Sequence, residues 1–538
     1  MPHKPHKYRQ IRYIYDTEIG IFDDRHILPL FHTRDTSRIW KMLMIYSNRL
    51  CGSPILRGKA LLIATTLLSS LGFLLIGYDN GLMGGFINGI PFNRAFDYPR
   101  PIILSTMVAI YEVGGFLGSI LISFWGEKLG RRQSIAGGAV VMIIGAIIQG
   151  TSYDIAQMLV GRIISGIGIG IINSTIPVLQ AEISPQATRG LYVAMYCTTL
   201  NLGIVIAYWL DFGMSSLDSE VSWRFPTVFQ IIFLLAILYL TFMVPESPRW
   251  LTSHDMGDDA RKVIAALKGT DIDHPEVIGQ FNDIKETVIM EMAEGAGSWS
   301  DFYKTDGLQS SRRLWTACAI QIFQQLGGIN ALIYYATTLF QQSIGFTPRM
   351  AGLMSGFLQT WLLISSFIPW FLIDRLGRRP LILGGISVQA AVMAIQAALI
   401  FQVQHNTAHM HSAAIGAAAM LFIFEGAFTI GMQSTVWVYP SELLPLRLRS
   451  KGSALSTAAN WICNFLVVEI TPPAIQNIGY RTYIIFAVLN AAFVPVVFFF
   501  FKETKGLSLE DIDLLFASED ALSAHNLAVR KANEMPGS

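Results

Sequence analysis

The chain has 538 residues, of which 52% are hydrophobic and only 14% are charged, whereas soluble proteins carry about a quarter charged residues. Its net charge of +1 gives no bulk electrostatic reason to bind nucleic acid, so we expect no such partner. Repeated apolar runs of about 20 residues or more are each long enough to cross a bilayer. Together these features predict a polytopic membrane protein rather than a soluble domain.

Twelve apolar runs follow one another along the chain, and each is predicted to cross the membrane as a helix. Because the number is even, both termini are expected on the same side. Lys and Arg are concentrated in cytoplasmic loops of membrane proteins. The loops that hold most of these residues lie on the same side as the termini, which we therefore expect to be cytoplasmic. The predicted spans cover residues 60–87, 101–125, 133–152, 154–179, 189–210, 225–244, 314–342, 350–373, 381–403, 412–439, 452–471 and 482–501.

A long polar segment divides these spans into two halves that resemble each other. "EKLGRR" at 127–132 recurs as "DRLGRR" at 374–379, and "EISPQATR" at 182–189 recurs as "ELLPLRLR" at 442–449. Two copies of a six-span unit in one orientation are the parallel repeat of the major facilitator architecture. The predicted fold is an all-α membrane protein of twelve transmembrane helices in two six-helix, pseudo-repeated bundles. The expected domains are a cytoplasmic N-terminal extension at 1–58, a bundle at 59–244, a cytoplasmic linker with short helices at 245–313, a second bundle at 314–501 and a cytoplasmic tail at 502–538.

The repeated acid–arginine motifs are predicted to form charged clusters that latch and release the cytoplasmic ends of the helices. Each "GRR" is preceded by an acid, and the proline of each E-x-x-P-x-x-x-R motif ends a helix. An acid and an arginine on neighbouring helix ends attract each other, although the arginines also fit a role in setting topology alone. The candidate gate residues are Glu127, Arg131, Arg132, Glu182, Arg189, Asp374, Arg378, Arg379, Glu442 and Arg449.

Taken together, the motifs resemble those of the sugar porter family of the major facilitator superfamily. The resemblance rests on the two "GRR" motifs, "PESPR" at 245–249, "QQLGGIN" at 324–330 and "ETKG" at 503–506. "GYDNGLMGG", "TVWVYPSEL" and "AANWICNFLVVEITP" are similar to the fungal branch of that family. The resemblance covers roughly residues 60–515. It implies a transporter rather than an enzyme, and it adds Glu246 and Arg249 of "PESPR" to the gate.

The stretch "QQLGGINALIYY" in the apolar seventh span contains three amides, Gln324, Gln325 and Asn330. An unpartnered amide in hydrocarbon costs several kcal/mol, so these side chains must face protein, water or ligand. Gly327 and Gly328 weaken the helix between them, and transporters bind substrates at broken helices near mid-membrane. An amide both donates and accepts hydrogen bonds, as a sugar hydroxyl does. We expect these amides to line a watery cavity and bind hydroxyl groups, with helix–helix hydrogen bonding as the alternative.

The resemblance implies further substrate contacts on other spans. Asn201 stands where the family usually has a span-five glutamine, and Gln359 or Thr360 takes the place of its span-eight asparagine. A tryptophan in span ten and asparagines in span eleven correspond to sugar-binding positions. The predicted substrate-binding residues are Gln324, Gln325, Asn330, Trp437, Asn460, Asn201, Gln359 and Tyr334.

Charged residues inside a membrane are candidates for function. Arg162 is the only basic residue deep in a predicted span, and the resemblance implies that it pairs with Asp79 of the "GYD" motif. This pair would couple transport to protons, because protonation of Asp79 releases Arg162. The alternative is a structural ion pair in a passive facilitator. The remaining acids, Glu112, Glu425 and Glu469, are either packing acids or proton sites.

The sequence therefore predicts a monomeric, multi-pass protein of the plasma membrane that carries a monosaccharide or related neutral sugar or polyol together with protons. A neutral substrate is favoured over a uronate because Arg162 already has a partner. We expect no cofactor and no metal site, and for His405, His409 and His411 a solvated outer loop is favoured. The alternatives are a passive facilitator and a non-transporting sugar sensor, which the length of the basic extension at 1–58 suggests. That extension could lie on the inner leaflet or be disordered.

Overall fold

The computed structural model describes residues 56–183, 189–294, 309–405, 409–445, 448–507, 512 and 515–516. The chain divides into two units, Met1–Gly52 and Ser53–Ser538. The first unit, and with it most of the predicted extension, lies outside the described residues. All structural statements below concern the second unit.

The first half consists of six long helices and one short one. The long helices are apolar around much of their circumference, as expected where one face meets lipid and the other meets protein. The helices of this half are α1 (Lys59–Phe86), α2 (Ile90–Ala95), α3 (Pro101–Leu129), α4 (Arg131–Gly150), α5 (Ile155–Ile183), α6 (Arg189–Met214) and α7 (Val221–Met243).

The linker between the halves folds into three helices, α8 (Pro248–Ser253), α9 (Gly257–Lys268) and α10 (Pro275–Glu294). Apolar side chains of the three helices form their own small core, which includes Trp250 and Ile264. The described part of the predicted linker is therefore helical, and its cytoplasmic location stays a prediction.

The second half repeats the pattern with more interruptions. Two crossings contain π-helical turns, at Leu339–Ser343 after α12 and at Thr429–Gln433 between α16 and α17. Such turns are often found at functional sites. The helices are α11 (Ser310–Leu326), α12 (Ile329–Thr338), α13 (Pro348–Ser365), α14 (Pro369–Leu376), α15 (Arg378–Gln404), α16 (Met410–Phe428), α17 (Ser434–Leu443), α18 (Arg449–Ile478) and α19 (Arg481–Phe500).

These helices account for the twelve predicted crossings. Within the described ranges, ten helices are long and apolar enough to span a membrane, and α13 with α14 forms an eleventh crossing that is bent by 46°. The seventh predicted span is divided between α11 and α12, and it breaks at Gly327 and Gly328. Gly328 has φ +98°, a conformation that favours glycine. The expected break in this span is therefore present.

The helices of the two halves pack in the same order. In the first half α1 packs on α6, α3 on α5, and α4 on both α5 and α7. The equivalent pairs of the second half are α11 with α18, α13 with α16, and α15 with α16 and α19. The two halves contact each other through three helix pairs, in which α3 packs on α18, α6 on α13, and α1 on α12. This arrangement is a major facilitator fold, and it places the interface between the halves at the centre of the molecule.

Candidate functional site

A buried ion pair lies in the first half. Nη1 of Arg162 on α5 donates to Oδ2 of Asp79 on α1 at 2.8 Å, and both side chains are fully buried. The other guanidinium nitrogens donate to the carbonyl oxygens of Met107 and Val108, and the Tyr111 ring lies 4.5 Å from the guanidinium carbon. Breaking a buried pair of this kind costs about 3–5 kcal/mol. The structure thus brings together the two residues that were expected to pair.

An amide network joins the broken seventh span to α18. Gln325 donates to Oδ1 of Asn460 at 2.9 Å, and Asn460 donates to Gln321 at 2.7 Å and to Gln324 at 3.2 Å. On the other side of the break, Asn330 donates to both Gln325 and Asn464. These six side chains combine donors and acceptors without a formal charge. They are Gln321, Gln324, Gln325, Asn330, Asn460 and Asn464.

The network is closed in this conformation. Gln324 is 9% exposed, Gln325 is 3% exposed and Asn330 is 7% exposed. The amides satisfy one another across the helix break and leave little of Gln325 and Asn330 exposed, so the open, watery cavity beside them stays a prediction. Substrate binding by these residues stays a prediction, and it requires that hydroxyl groups replace some of the amide–amide hydrogen bonds.

A second amide pair crosses the interface between the halves. Asn201 on α6 donates to Gln433 at 3.0 Å, and Gln433 donates back to Asn201 at 2.7 Å. Gln433 ends the π-helical turn between α16 and α17. Sequence reasoning overlooked Gln433, although a polar amide within an apolar run was the available signal. The reciprocal bonds connect a predicted substrate residue directly to the opposite half.

The remaining predicted contacts lie in different surroundings. Gln359 is fully buried beside Glu425, and neither of its amide atoms has a hydrogen-bond partner in the described part of the chain. Its neighbour Thr360 accepts from Trp209 of the first half at 3.0 Å. Trp437 is partly buried on α17. The structure does not bring Trp437 or Gln359 into the hydrogen-bonded amide network.

The halves also touch on the side that is predicted to face outward. Asn88, just after α1, donates to Thr338 of α12 at 2.8 Å. Thr337 donates to the Gly84 carbonyl at 2.9 Å, and Tyr208 of α6 donates to the Ile333 carbonyl at 2.6 Å. These contacts hold α12 against α1 and α6 and close the outer ends of the halves in this conformation.

The charged clusters at the opposite ends of the helices follow the repeat. Arg131 binds both carboxylate oxygens of Glu182 at 3.1 and 3.2 Å. In the second half Arg378 binds Glu442 at 2.9 Å and Asp374 at 3.0 Å. Each of these contacts joins helices within one half. The clusters therefore hold each half together in this conformation, and their predicted role as a latch remains untested.

Two further acids accept hydrogen bonds from backbone N–H groups at the N-termini of α4 and α15. Glu246 accepts from the backbone nitrogens of Arg131 and Arg132, each at 3.0 Å. Burial raises the pKa of Glu246, while these N–H donors and Arg131 act in the opposite direction. Glu503 of "ETKG" accepts from the backbone nitrogens of Arg378 and Arg379, each at 2.9 Å. Sequence analysis used "ETKG" only as a family motif and overlooked this contact.

The other gate candidates do not all form clusters. The side chain of Glu127 is exposed, and its backbone carbonyl accepts from the Trp250 ring N–H at 2.6 Å. Arg132 and Arg379 donate to the carbonyl oxygens of Thr241 and Phe498. The side chains of Arg189 and Arg449 lie outside the described residues.

The chain matches the family described as sugar (and other) transporter over residues 65–516. It is 38% identical over 494 residues to sugar transporter STL1 of Saccharomyces cerevisiae, which covers 89% of this chain and 85% of that protein. It is 32% identical over 461 residues to high-affinity glucose transporter 1 of Candida albicans, and this match covers 83% of this chain and 84% of that protein. These fungal relatives are transporters and not enzymes.

Solved structures share the fold. The MFS proton:xylose symporter XylE bound to 6-bromo-6-deoxy-D-glucose has a TM-score of 0.71 at 24% identity, covering 85% of this chain and 100% of that one. The xylose transporter XylE from E. coli, in a partially occluded inward-open conformation, has a TM-score of 0.68 at 22% identity. That match covers 82% of this chain and 100% of the XylE chain. On the family match, the sequence relatives and the fold, this chain belongs to the sugar (and other) transporter family.

Proposed function

We propose that the chain carries a neutral sugar or polyol across the plasma membrane by alternating access, with both termini in the cytoplasm. The observation that supports this most is the uncharged amide network that joins the helix break of the seventh span to α18 in the second half. Amides pair equally well with one another and with hydroxyl groups. Substrate can therefore replace Gln325–Asn460 and Asn330–Asn464 contacts without leaving a buried polar group unsatisfied.

We further propose that transport is coupled to protons through Asp79 and Arg162. The pair is fully buried, and the two guanidinium nitrogens that do not bind Asp79 fix α3 through the carbonyls of Met107 and Val108. Protonation of Asp79 removes the charge that holds Arg162, which loosens α1 from α5. Each proton that moves inward across 100 mV contributes about 2.3 kcal/mol, which is enough to concentrate a sugar.

Alternating access follows from the contacts between the halves. In the present conformation, Asn88 and Thr338 hold the outer ends together, while the amide pair of Asn201 and Gln433 joins the centre. We propose that these contacts break when the outer side opens, and that the clusters around Arg131 and Arg378 move with their own halves. The proposed domain limits are those expected from the sequence, with the bundles at 59–244 and 314–501.

The experiment is uptake of radiolabelled sugars by cells that lack their own sugar transporters. A competition panel of hexoses, pentoses, disaccharides, polyols and uronates identifies the substrate class. Uptake should collapse with a protonophore, and Asp79→Asn should abolish accumulation against a gradient. Asp218→Asn, which changes an exposed acid paired with Arg94, is the matched control and should accumulate sugar normally.

The outcomes separate the alternatives. Accumulation that survives both the protonophore and Asp79→Asn would refute proton coupling, and uptake that never exceeds equilibrium would indicate a passive facilitator. Absent uptake of every sugar, with the protein present at the cell surface, would refute transport and favour a sugar sensor. Preferential uptake of uronates would contradict the neutral substrate.

A further inference from the structure

Glu112 on α3 is a buried acid at the interface between the halves. Its side chain is fully buried, and its Oε1 is in hydrogen-bond contact with the hydroxyl of Tyr334, which belongs to α12 of the other half. The same hydroxyl contacts Oδ1 of Asn80 at 2.7 Å. Oε2 of Glu112 has no hydrogen-bond partner among the described residues. One tyrosine thus connects an acid and an amide of the first half to the second half.

With the amide oxygen of Asn80 facing Tyr334, the three side chains do not hold enough hydrogens for both contacts if Glu112 is ionised. A tyrosine hydroxyl carries one hydrogen, whereas a carboxylate and an amide oxygen are both acceptors. Tyr334 can therefore donate to Asn80 or to Glu112, but not to both. If Glu112 carries a proton, its O–H donates to Tyr334, and Tyr334 donates to Asn80. Both contacts are then satisfied at once.

The charged neighbours do not replace that proton. Arg162 and Asp79 are the charged groups that face Glu112, and the guanidinium nitrogens of Arg162 are bound by Asp79 and by two backbone carbonyls. The uncharged groups around the carboxyl are Tyr334 and the amide of Asn464. Loss of water disfavours an ionised carboxylate in such a place, because a buried charge requires an opposite charge and hydrogen bonds.

A cavity of about 170 Å³ lies beside Glu112 between α3 and α18, and the surface that lines it is apolar. Its other lining residues are Val113, Phe116, Trp461, Ile462 and Phe465. Glu112 is therefore the ionisable residue that borders this space. Because α3 runs inward in the predicted topology, Val113 and Phe116 lie on the predicted cytoplasmic side of Glu112.

We propose that Glu112 is a second proton-binding site, separate from Asp79, and that its proton holds the two halves together. The proton binds a carboxylate oxygen of Glu112, whose O–H then donates to Tyr334. When the proton leaves to solvent water, Tyr334 donates to the carboxylate and releases Asn80. The site also borders the amide network, since Asn464 accepts from Asn330 at 2.6 Å. The effect of the Glu112 proton on sugar transport rests on the proposed function, whereas proton binding to Glu112 does not.

Infrared difference spectroscopy of the purified full-length protein in liposomes tests the proton site directly. Spectra recorded between low and high pH should contain a C=O band of a protonated carboxyl that is missing from Glu112→Gln. Tyr334→Phe should shift this band, because it removes the hydroxyl that the carboxyl binds. Glu469→Gln is the matched control and should keep the band, since Glu469 is an acid of the same α3–α18 interface that accepts from Thr106 at 2.8 Å.

A band that is unchanged in Glu112→Gln would overturn the proposal. If Glu112→Gln does not fold, Glu112→Asp keeps a carboxyl on a shorter side chain, and the band should then shift in frequency. Counterflow of radiolabelled D-glucose in the same liposomes tests the link to transport, since its rate should depend less on pH in Glu112→Gln than in the unmodified protein. A band assigned to Glu112, in a protein that transports no sugar, would refute the proposed function while supporting the proton site.

Discussion

Glu246 and Glu503 hold the same position in the two halves of the molecule. Each carboxylate accepts hydrogen bonds from the backbone N–H groups of two arginines at the start of the third crossing of its half. Glu246 binds Arg131 and Arg132 at the start of α4, and Glu503 binds Arg378 and Arg379 at the start of α15. A carboxylate at a helix N-terminus satisfies free N–H groups and is attracted by the helix dipole. The internal repeat therefore extends to acids that are far apart in the chain and lie in different motifs, "PESPR" and "ETKG".

Removing either carboxylate is expected to destabilise its own half. Glu246→Ala and Glu503→Ala should each lower the stability by about 1–3 kcal/mol, because buried N–H donors lose their acceptor. The measurement is the shift in the melting temperature of the purified protein in detergent. Glu127→Ala changes an exposed acid and should stay within about 0.5 kcal/mol. Equal shifts for all three variants would contradict the capping role.

The amide network is expected to determine substrate affinity. Gln325→Ala and Asn330→Ala should each weaken sugar binding by about 1–3 kcal/mol, the usual effect of leaving a buried polar partner unsatisfied. Affinity is measured by titration of the sugar that the uptake panel identifies. Gln149→Ala removes an amide that bonds to Ser165 within the first half, and it should leave affinity unchanged. If Gln149→Ala weakens binding as strongly, the effect is general and not a property of the network.

The pair of Asn201 and Gln433 is expected to couple the two halves energetically. Asn201→Ala and Gln433→Ala should be non-additive in thermal stability, with an interaction energy of about 0.5–3 kcal/mol. The matched double variant combines Asn201→Ala with Gln149→Ala, which lies elsewhere in the first half and should give additive effects. Additivity in the Asn201–Gln433 cycle would show that their reciprocal hydrogen bonds contribute nothing in solution.

The helix break is expected to depend on Gly328. Gly328→Ala should destabilise the protein by at least about 1 kcal/mol, because φ is +98° and a Cβ would come 2.8 Å from the Phe486 ring. Gly384→Ala is the control on α15, where a Cβ would meet no atom within 4 Å, and alanine favours a helix over glycine. Melting temperatures check both variants. A Gly328→Ala protein that is as stable and active as the unmodified one would show that the break does not require this conformation.

Much of the architecture follows from patterns that are local in the chain. The apolar runs give the crossings, since hydrocarbon requires about 20 apolar residues in a helix. The duplicated "GRR" motifs give the two halves, and the two glycines at 327 and 328 predict the break in the seventh span. An acidic partner for Arg162 was also expected, because one deep cation needs a nearby acid, and the family resemblance implied that this acid is Asp79.

The partners of the polar side chains depended on helix packing. Sequence placed Gln324, Gln325 and Asn330 in one span, but only the tertiary structure brought them against Asn460 and Asn464. It also paired Asn201 with the overlooked Gln433, and Glu112 with Tyr334 of the other half.

The sequence by itself thus determined that this protein is a two-fold repeated membrane bundle with uncharged polar groups and one ion pair inside it. The tertiary structure decided which of those groups meet, and that in this conformation the amides bind one another rather than facing open water. The physical reason is that hydrophobicity and helix-breaking glycines act within a segment. Hydrogen bonds between spans depend instead on the rotation and depth of each helix, which the packing of all the others determines.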